Sequence, residues 1–110
     1  MLDVDIEIIR GITFIRLEGD LNNKTFVYLE EELNNLLYNL EMHFYVINFV
    51  DIFDIENSVF SRIQNKLYEI FLSCGKVVMC GINSIFKDKR LIYVNNELEA
   101  FKYFDIWRGD

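Results

Sequence analysis

The segment that most constrains the fold is YVINFVDIFDIENSVFSRI, residues 45–63, in which an apolar run passes through acidic residues into a helical pattern. From Phe44 to Val50, every residue except Asn48 is apolar. A half-exposed strand would alternate apolar and polar side chains. The run therefore indicates a central strand that is covered on both faces, as strands of a parallel sheet are.

The apolar run is followed by a segment that we expect to be a loop, and this loop carries Asp51, Asp54 and Glu56. A helical stripe of apolar residues then predicts a helix over residues 57–74. Gly75 stands where a left-handed residue often closes a helix. The sequence thus predicts that a buried strand comes to the surface and that carboxylates surround a helix start.

The first two predicted strands form a hairpin, because apolar and acidic residues alternate over residues 2–8 and Arg10-Gly11 is a turn signal before a strand over residues 12–19. The other predicted elements are a helix over residues 23–40, strands over residues 76–82 and 91–94 with a loop or single turn between them, and a last helix opened by a capping box at residues 96–99. This order predicts an α/β sandwich in a single domain, residues 1–110, with a mixed sheet of four to five strands, an opening β-hairpin and parallel β-α-β crossovers.

The same periodicities predict the core. Cys74 and Cys80 fall on apolar stretches and are not spaced as a CxxC pair, so we expect both to pack in the interior and not to serve redox or metal chemistry. The expected core residues are Phe14 or Ile15, Leu33, Val46, Ile47, Phe49, Ile63, Leu67, Val78 and Cys80.

The charge of the chain favours protein partners. The 110 residues include 18 acidic and 11 basic side chains, a net charge of −7, and residues 1–55 hold 11 acids against 3 bases. A chain without a basic stripe is poorly suited to bind nucleic acid or an anionic membrane. With neither an apolar run that could span a membrane nor a signal-peptide pattern, we expect a cytoplasmic protein. Its oligomeric state stays open.

The sequence carries no pattern typical of catalysis. His43 is the only histidine, which argues against a zinc site with the usual ligands and against a serine–histidine–acid triad. There is no glycine-rich phosphate loop. We therefore expect no enzyme and no cofactor. One weaker alternative is a metal-dependent hydrolase with Mg²⁺ on Asp51, Asp54 and Glu56, although acids before a helix more often form a solvated loop.

Four segments in order resemble the STAS family, the domain of bacterial anti-sigma-factor antagonists and of sulfate-transporter tails. They are LEGDLNN (residues 17–23), VINFVDIFDIENSVF (46–60), KVVMCGIN (76–83) and VNNELEAFKYF (94–104). Together they cover essentially the whole chain. The resemblance implies a non-enzymatic regulatory domain whose partner is an anti-sigma factor that is also a serine kinase.

In the family, the third residue of an Asp-Ser-Ser/Thr-Gly motif accepts phosphate from the partner. The matching residues are Glu56, Asn57, Ser58 and Val59, so the resemblance makes Ser58 the candidate phosphoacceptor. Three of the four differ from the motif, and the segment over residues 84–90 is too short for the family's helix. The resemblance further implies that the partner binds Asn22, Asn23, Thr25, Asp54, Glu56, Asn57, Ser58, Ser61 and Arg62.

Two alternatives stay open at this point. Ser58 is also a favoured residue for the first turn of a helix, where its side chain would satisfy free backbone N–H groups, and Glu56 and Asn57 fit the roles of dipole partner and cap. The domain could equally serve as a phosphorylation-independent scaffold subunit of a signalling assembly or homo-oligomer.

Overall fold

A five-stranded mixed sheet forms the centre of the fold in the computed structural model, which describes residues 1–73, 75–81 and 92–108. β1 pairs with β2 antiparallel, and β2, β3, β4 and β5 are parallel neighbours in that order. The opening hairpin and the parallel crossovers are therefore confirmed. The strands are β1 (Leu2–Ile9), β2 (Ile12–Leu21), β3 (Phe44–Ile55), β4 (Lys76–Cys80) and β5 (Ile92–Val94).

The hairpin turns over two residues with positive φ. Arg10 has a φ of 52° and Gly11 a φ of 81°, and the flanking Ile9 and Ile12 are paired. Two consecutive positive φ angles define the tight turn whose twist matches that of antiparallel strands, and glycine adopts this conformation without steric cost.

In the described ranges, three α-helices cover the two faces of the sheet. α1 (Phe26–Asn34) continues into a π-helical turn at Asn35–Asn39, and it lies with α2 (Phe60–Leu72) on one face. α3 (Glu97–Arg108) lies on the other face. Among the described residues, no helix is long and apolar enough to cross a membrane.

The core is divided into two layers by the sheet. Alternate residues of β3 point to opposite faces, so that Tyr45 and Ile47 join the layer under α1 and α2 while Val46 joins the layer under α3. Burial raises the pKa of the Cys80 thiol to about 11. The predicted core is confirmed at every position, since all of its members are buried: Phe14, Ile15, Leu33, Val46, Ile47, Phe49, Ile63, Leu67, Val78 and Cys80.

β3 is longer than its apolar run, which corrects the loop expected after Val50. Residues 51–55 stay in the sheet because β2 also extends beyond its predicted end, to Leu21. The pairing register of the two strands shifts between Arg16 and Glu18 and again between Gly19 and Asp20. Backbone pairing with a neighbouring strand thus extends β3 where side-chain polarity predicts a loop.

Two helix ends also differ from the prediction. α1 begins at Phe26 instead of residue 23, because the residues before it form a hydrogen-bonded turn. Gly75 is not left-handed. It lies where a Cβ atom would come within 2.8 Å of the Ile70 Cγ2 and 2.9 Å of its carbonyl oxygen, so close packing accounts for this glycine. Cys74 and the predicted turn over residues 83–90 lie outside the described residues.

An ion pair holds the start of α3 on the sheet. Arg16 in β2 donates two hydrogen bonds of 2.9 Å to the two carboxylate oxygens of Glu97, the first residue of α3. Asn48, the polar residue within the apolar run of β3, donates to the same carboxylate at 2.8 Å. Its side-chain oxygen accepts the backbone N–H of Val50 at 2.9 Å. Asn48 is therefore kept in a buried strand because both ends of its amide are paired.

We expect Glu97→Gln to destabilise the fold in a pH-dependent way. The hydrogen bonds from Arg16 hold the pKa of Glu97 below its ordinary value. A lowered pKa stabilises the fold above the pKa of the unfolded chain, and this contribution is lost as the pH falls through the lowered value. At neutral pH we expect a loss of about 1–2 kcal/mol, because partial exposure of Arg16 screens the pair.

Urea unfolding at about pH 7 and about pH 3, on either side of an ordinary glutamate pKa, measures this effect. The variant and the wild type should differ at the higher pH, and the difference should be smaller at the lower one. Glu31→Gln, at an exposed position of α1, is the control and should change little at either pH. Equal losses at both pH values would contradict a role for the carboxylate charge.

Candidate functional site

The ends of β2 and β3 lie side by side, and this brings together the segments that follow them. The two strands are parallel and paired as far as Leu21 and Ile55. The next residue, Glu56, donates its backbone N–H to the carbonyl of Leu21 at 2.9 Å. The β2–α1 loop (residues 22–25) and the β3–α2 turn (residues 56–59) are therefore neighbours at one edge of the sheet.

Side chains within the β2–α1 loop fix its shape. Asn22 Oδ1 accepts the backbone N–H groups of Lys24 and Thr25 at 2.9 and 3.0 Å, which is an Asx turn. The buried Thr25 hydroxyl donates to the carbonyl of Asp20 at 2.8 Å and accepts the N–H of Asn22 at 2.9 Å. Asn22 and Thr25 thus act within the loop, and they position Asn23 between them.

Four side chains at this edge form what we call the Ser58 cluster: Asn23, Glu56, Ser58 and Arg62. The Ser58 hydroxyl donates to Glu56 Oε1 at 2.7 Å and accepts a hydrogen bond from Asn23 Nδ2, also at 2.7 Å. Asn23 Nδ2 lies 3.4 Å from the same Glu56 oxygen. The exposed Ser58 hydroxyl is thereby held in one orientation between a carboxylate and an amide.

Arg62 closes the cluster from α2. Its Nη1 donates to both the backbone carbonyl oxygen and the side-chain Oδ1 of Asn23, each at 3.1 Å. The guanidinium also lies over the ring of Phe26, 4.8 Å from its centroid, a cation–π contact that supports it from below. The Asn23 side chain accepts a hydrogen bond from Arg62 through its Oδ1 and donates one to Ser58 through its Nδ2. Its amide therefore joins the β2–α1 loop to α2 and to the β3–α2 turn.

A second polar cluster lies beside the first, in the groove between α1 and α2. Buried Lys66 donates to the side-chain oxygen of Asn34 and, at 2.8 Å, to Glu69. The Tyr38 hydroxyl donates to the same Glu69 carboxylate at 2.8 Å, and these donors lower the pKa of Glu69. Sequence analysis missed this cluster. The available signal is the place of Lys66 on the apolar stripe of α2, since a lysine is rarely buried unless it is paired.

The structure brings together four of the residues predicted to bind a partner, those of the Ser58 cluster. The others surround it: Asn22 and Thr25 shape the adjacent loop, Asp54 is exposed in β3 opposite Asp20, and Asn57 and Ser61 are exposed. Phe26 was not predicted as a site residue, and its position under Arg62 is a contact that periodicity does not reveal.

Ser58 lies in the turn that leads directly into α2, and its hydroxyl is bonded to the side chains of Glu56 and Asn23. Asn57–Val59 form a 3₁₀ turn, and α2 begins only at Phe60. The N-cap residues of the turn and of α2, Glu56 and Val59, make no side-chain cap hydrogen bond. Ser58 uses its hydroxyl on two side chains because the β2–α1 loop is close enough to supply one of them.

The acids proposed as metal ligands do not form a metal site. Asp51 and Asp54 lie in β3, aligned with Glu18 and Asp20 of β2, and Glu56 is bonded to Ser58. Within the described ranges, no group of three His, Cys, Asp or Glu side chains is placed to hold a metal ion. The hydrolase alternative therefore has no ligand set in this part of the chain.

Comparisons with known proteins identify the fold. No protein-family model matches the sequence, and no curated protein matches it. Among solved structures, the anti-sigma factor antagonist SpoIIAA in its unphosphorylated form superposes with a TM-score of 0.74 at 15% identity, over 93% of this chain and 97% of that chain. The chain thus has the fold of the anti-sigma-factor antagonists, the STAS fold.

Two further structures agree. A putative anti-sigma factor antagonist from Thermotoga maritima has a TM-score of 0.78 at 15% identity, over 91% of this chain and 92% of that chain. Bacillus SpoIIAA in its phosphorylated form has a TM-score of 0.71 at 12% identity, over 92% and 99% of the two chains. At such low identities the likeness establishes the fold alone.

Val59, at the position of the family's glycine, is part of the core. Its φ is −87°, so a left-handed residue is not needed here, and its side chain is fully buried. We expect Val59→Gly to lower the free energy of unfolding by about 2 kcal/mol, from the lost burial of the valine side chain. The sequence alone suggested a cost of no more than about 1 kcal/mol, from helix propensity.

Val27→Gly is the matched control, because Val27 is 40% exposed in the first turn of α1. Chemical denaturation of both variants should show a smaller loss for the control, about 0.5 kcal/mol and mainly from helix propensity, because valine is itself a weaker helix former than alanine. Equal losses for the two variants would contradict the buried position of Val59.

Proposed function

We propose that this protein is a regulatory protein–protein interaction domain that binds an anti-sigma factor with serine-kinase activity, and that phosphorylation of Ser58 switches the binding. The observation that carries the proposal is the exposed Ser58 hydroxyl in the STAS fold, held between Asn23 and Glu56 at the meeting point of two segments. Solved structures with this fold include SpoIIAA in both unphosphorylated and phosphorylated forms.

The proposed modification is a phosphoryl transfer from ATP. The Ser58 oxygen forms a bond to the γ-phosphorus, the bond from that phosphorus to the β–γ bridging oxygen breaks, ADP leaves, and the hydroxyl proton is released. The product adds a charge of roughly −1.5 to −2 beside the Glu56 carboxylate. A partner that fits the neutral hydroxyl then meets concentrated negative charge, which opposes binding while the core stays unchanged.

The β2–α1 loop and the β3–α2 turn supply the proposed contact surface. It consists of Asn22, Asn23 and Thr25 from the loop and Asp54, Glu56, Asn57, Ser58, Ser61 and Arg62 from β3, the turn and α2. Among these, the exposed polar residues suit a partner that binds and dissociates, since no large apolar area would have to be exposed to water on release.

The test is intact-mass analysis and partner binding for wild type and three variants. Ser58→Ala should bind the partner but take up no phosphate from partner and ATP, and Ser58→Asp should bind weakly or not at all. Because the residue lies just before α2, the added carboxylate should change stability by no more than about 1 kcal/mol. Ser73→Ala, at an exposed serine that follows α2 and lies outside the contact surface, is the control and should behave as wild type.

The partner is found by capture on the immobilised wild-type protein from cells of its own source, followed by mass spectrometry. A kinase-like ATPase that is lost from the Ser58→Asp sample supports the proposal. Other STAS proteins, captured equally by all variants and without phosphate on Ser58, would overturn it in favour of the phosphorylation-independent scaffold.

A further inference from the structure

We propose, on the basis of the proposed function, that Arg62 binds the phosphate of phosphoserine 58. To do so it gives up its hydrogen bonds to Asn23, and phosphorylation thereby changes the β2–α1 loop. The observation behind this inference is the amide of Asn23, whose two ends are bonded to Ser58 and Arg62. One phosphate would then change both segments of the contact surface.

Phosphorylation removes the proton that Ser58 gives to Glu56. The 2.7 Å hydrogen bond between them is lost, and a carboxylate is left beside a phosphate of nearly two negative charges. Such a pair of anions is unfavourable unless a cation joins it. Phosphorylated Ser58 would therefore be stabilised by a nearby cation. In the unmodified cluster, no cation contacts the Ser58 hydroxyl directly.

Arg62 is the cation best placed to meet this demand. It follows Ser58 by four residues, the spacing at which side chains on a helical segment are neighbours. Its Nη1 is already bonded to Asn23 Oδ1, on the same amide group whose Nδ2 lies 2.7 Å from the Ser58 oxygen. A guanidinium also matches phosphate geometry, because it donates two parallel hydrogen bonds to two oxygens.

Phe26 allows Arg62 to turn while it stays supported. The guanidinium lies 4.8 Å from the ring centroid, and its side chain is half-buried rather than enclosed. Rotation across the ring face keeps the cation–π attraction, which depends on the distance to the ring and not on one hydrogen-bond partner. The exchange of Asn23 for phosphate thus costs little of the support beneath Arg62.

The movement of Arg62 changes the contacts of Asn23. Asn23 loses the bonds that Arg62 donates to its backbone carbonyl and its side-chain oxygen, each 3.1 Å long. The Asx turn of Asn22 and the hydroxyl bonds of Thr25 do not involve Arg62, so the rest of the loop keeps its shape. The change is confined to Asn23 and the exposed Lys24 beside it.

Other charged groups surround the site and compete for the phosphate or repel it. They are Lys24 in the β2–α1 loop, Glu30 on α1 beside Arg62, Asp54 in β3 and Glu56 in the β3–α2 turn. Lys24 is the rival cation, and its side chain is exposed. A test must therefore separate Arg62 from Lys24.

The experiment installs phosphoserine at position 58 by suppressor-tRNA incorporation, so that no kinase is needed. Phosphorus NMR titration gives the second pKa of the phosphate, which is about 6 for an unperturbed phosphoserine. We expect Arg62→Gln to raise this pKa by about half a unit relative to wild type, because a partly exposed cation that favours the dianion is lost. Lys24→Gln should leave it nearly unchanged.

Nitrogen–proton correlation spectra of the wild-type chain, with and without the phosphate, give a second readout that needs no variant. The Arg62 Nε–H and the Asn23 side-chain amide signals should both shift on phosphorylation. Equal pKa values in wild type and Arg62→Gln, a larger effect of Lys24→Gln, or an unmoved Arg62 signal would each overturn the proposal.

A negative result in this test can be told apart from a negative result in the test of the proposed function. Phosphoserine is placed without the partner, so a negative NMR result leaves the mass analysis of Ser58 standing. Conversely, if no kinase ever modifies Ser58, the response of Arg62 to an installed phosphate is still measured.

Discussion

The parallel pairing of β2 with β3 is the contact on which the rest of the structure depends. It runs from Ile12 and Phe44 to Leu21 and Ile55 and continues through the bond between Glu56 N–H and the Leu21 carbonyl. Because the two strands end together, the segments after them are forced into contact. The Ser58 cluster is the direct result, since Asn23 lies 33 to 39 residues away from the other members along the chain.

On the face of the sheet that α3 covers, ion pairs stabilise the fold of this acidic chain. Arg16 is held by Glu97 and by Glu7, whose carboxylate lies 2.8 Å from its Nη1, and these bonds raise the pKa of the guanidinium. A cation so placed joins β1 to α3 across β2. Acidic residues at the sheet are thus partly neutralised.

Periodicity was sufficient to predict the order of the elements and the core, because burial depends on side-chain polarity that can be read along the chain. It failed where distant backbone groups decide. Residues 51–55 look like a loop until β2 pairs with them, and α1 starts late because Asn22 forms an Asx turn. Gly75 matches a capping signal but is required by its contact with Ile70.

The candidate site was predicted only in part, because some of its contacts also depend on distant parts of the chain. The family resemblance pointed to Ser58 and its neighbours, but the contacts of Asn23 with Ser58 and Arg62 depend on long-range geometry that no local pattern encodes. Arg62 and Phe26 form a pair only because α1 and α2 pack on the same face of the sheet. Lys66, in contrast, could have been noticed from the sequence, because a lysine on the apolar stripe of a helix is unusual.

The measurement that tests most directly whether the two segments form one unit is a double-mutant cycle on Asn23→Ala and Ser58→Ala. If their hydrogen bond joins the β2–α1 loop to the β3–α2 turn, chemical denaturation should give a coupling energy of about 0.5–1 kcal/mol. The cycle of Asn23→Ala with Ser61→Ala is the control and should be additive. Additivity within about 0.3 kcal/mol for Asn23 and Ser58 as well would contradict a coupled cluster at this edge of the sheet.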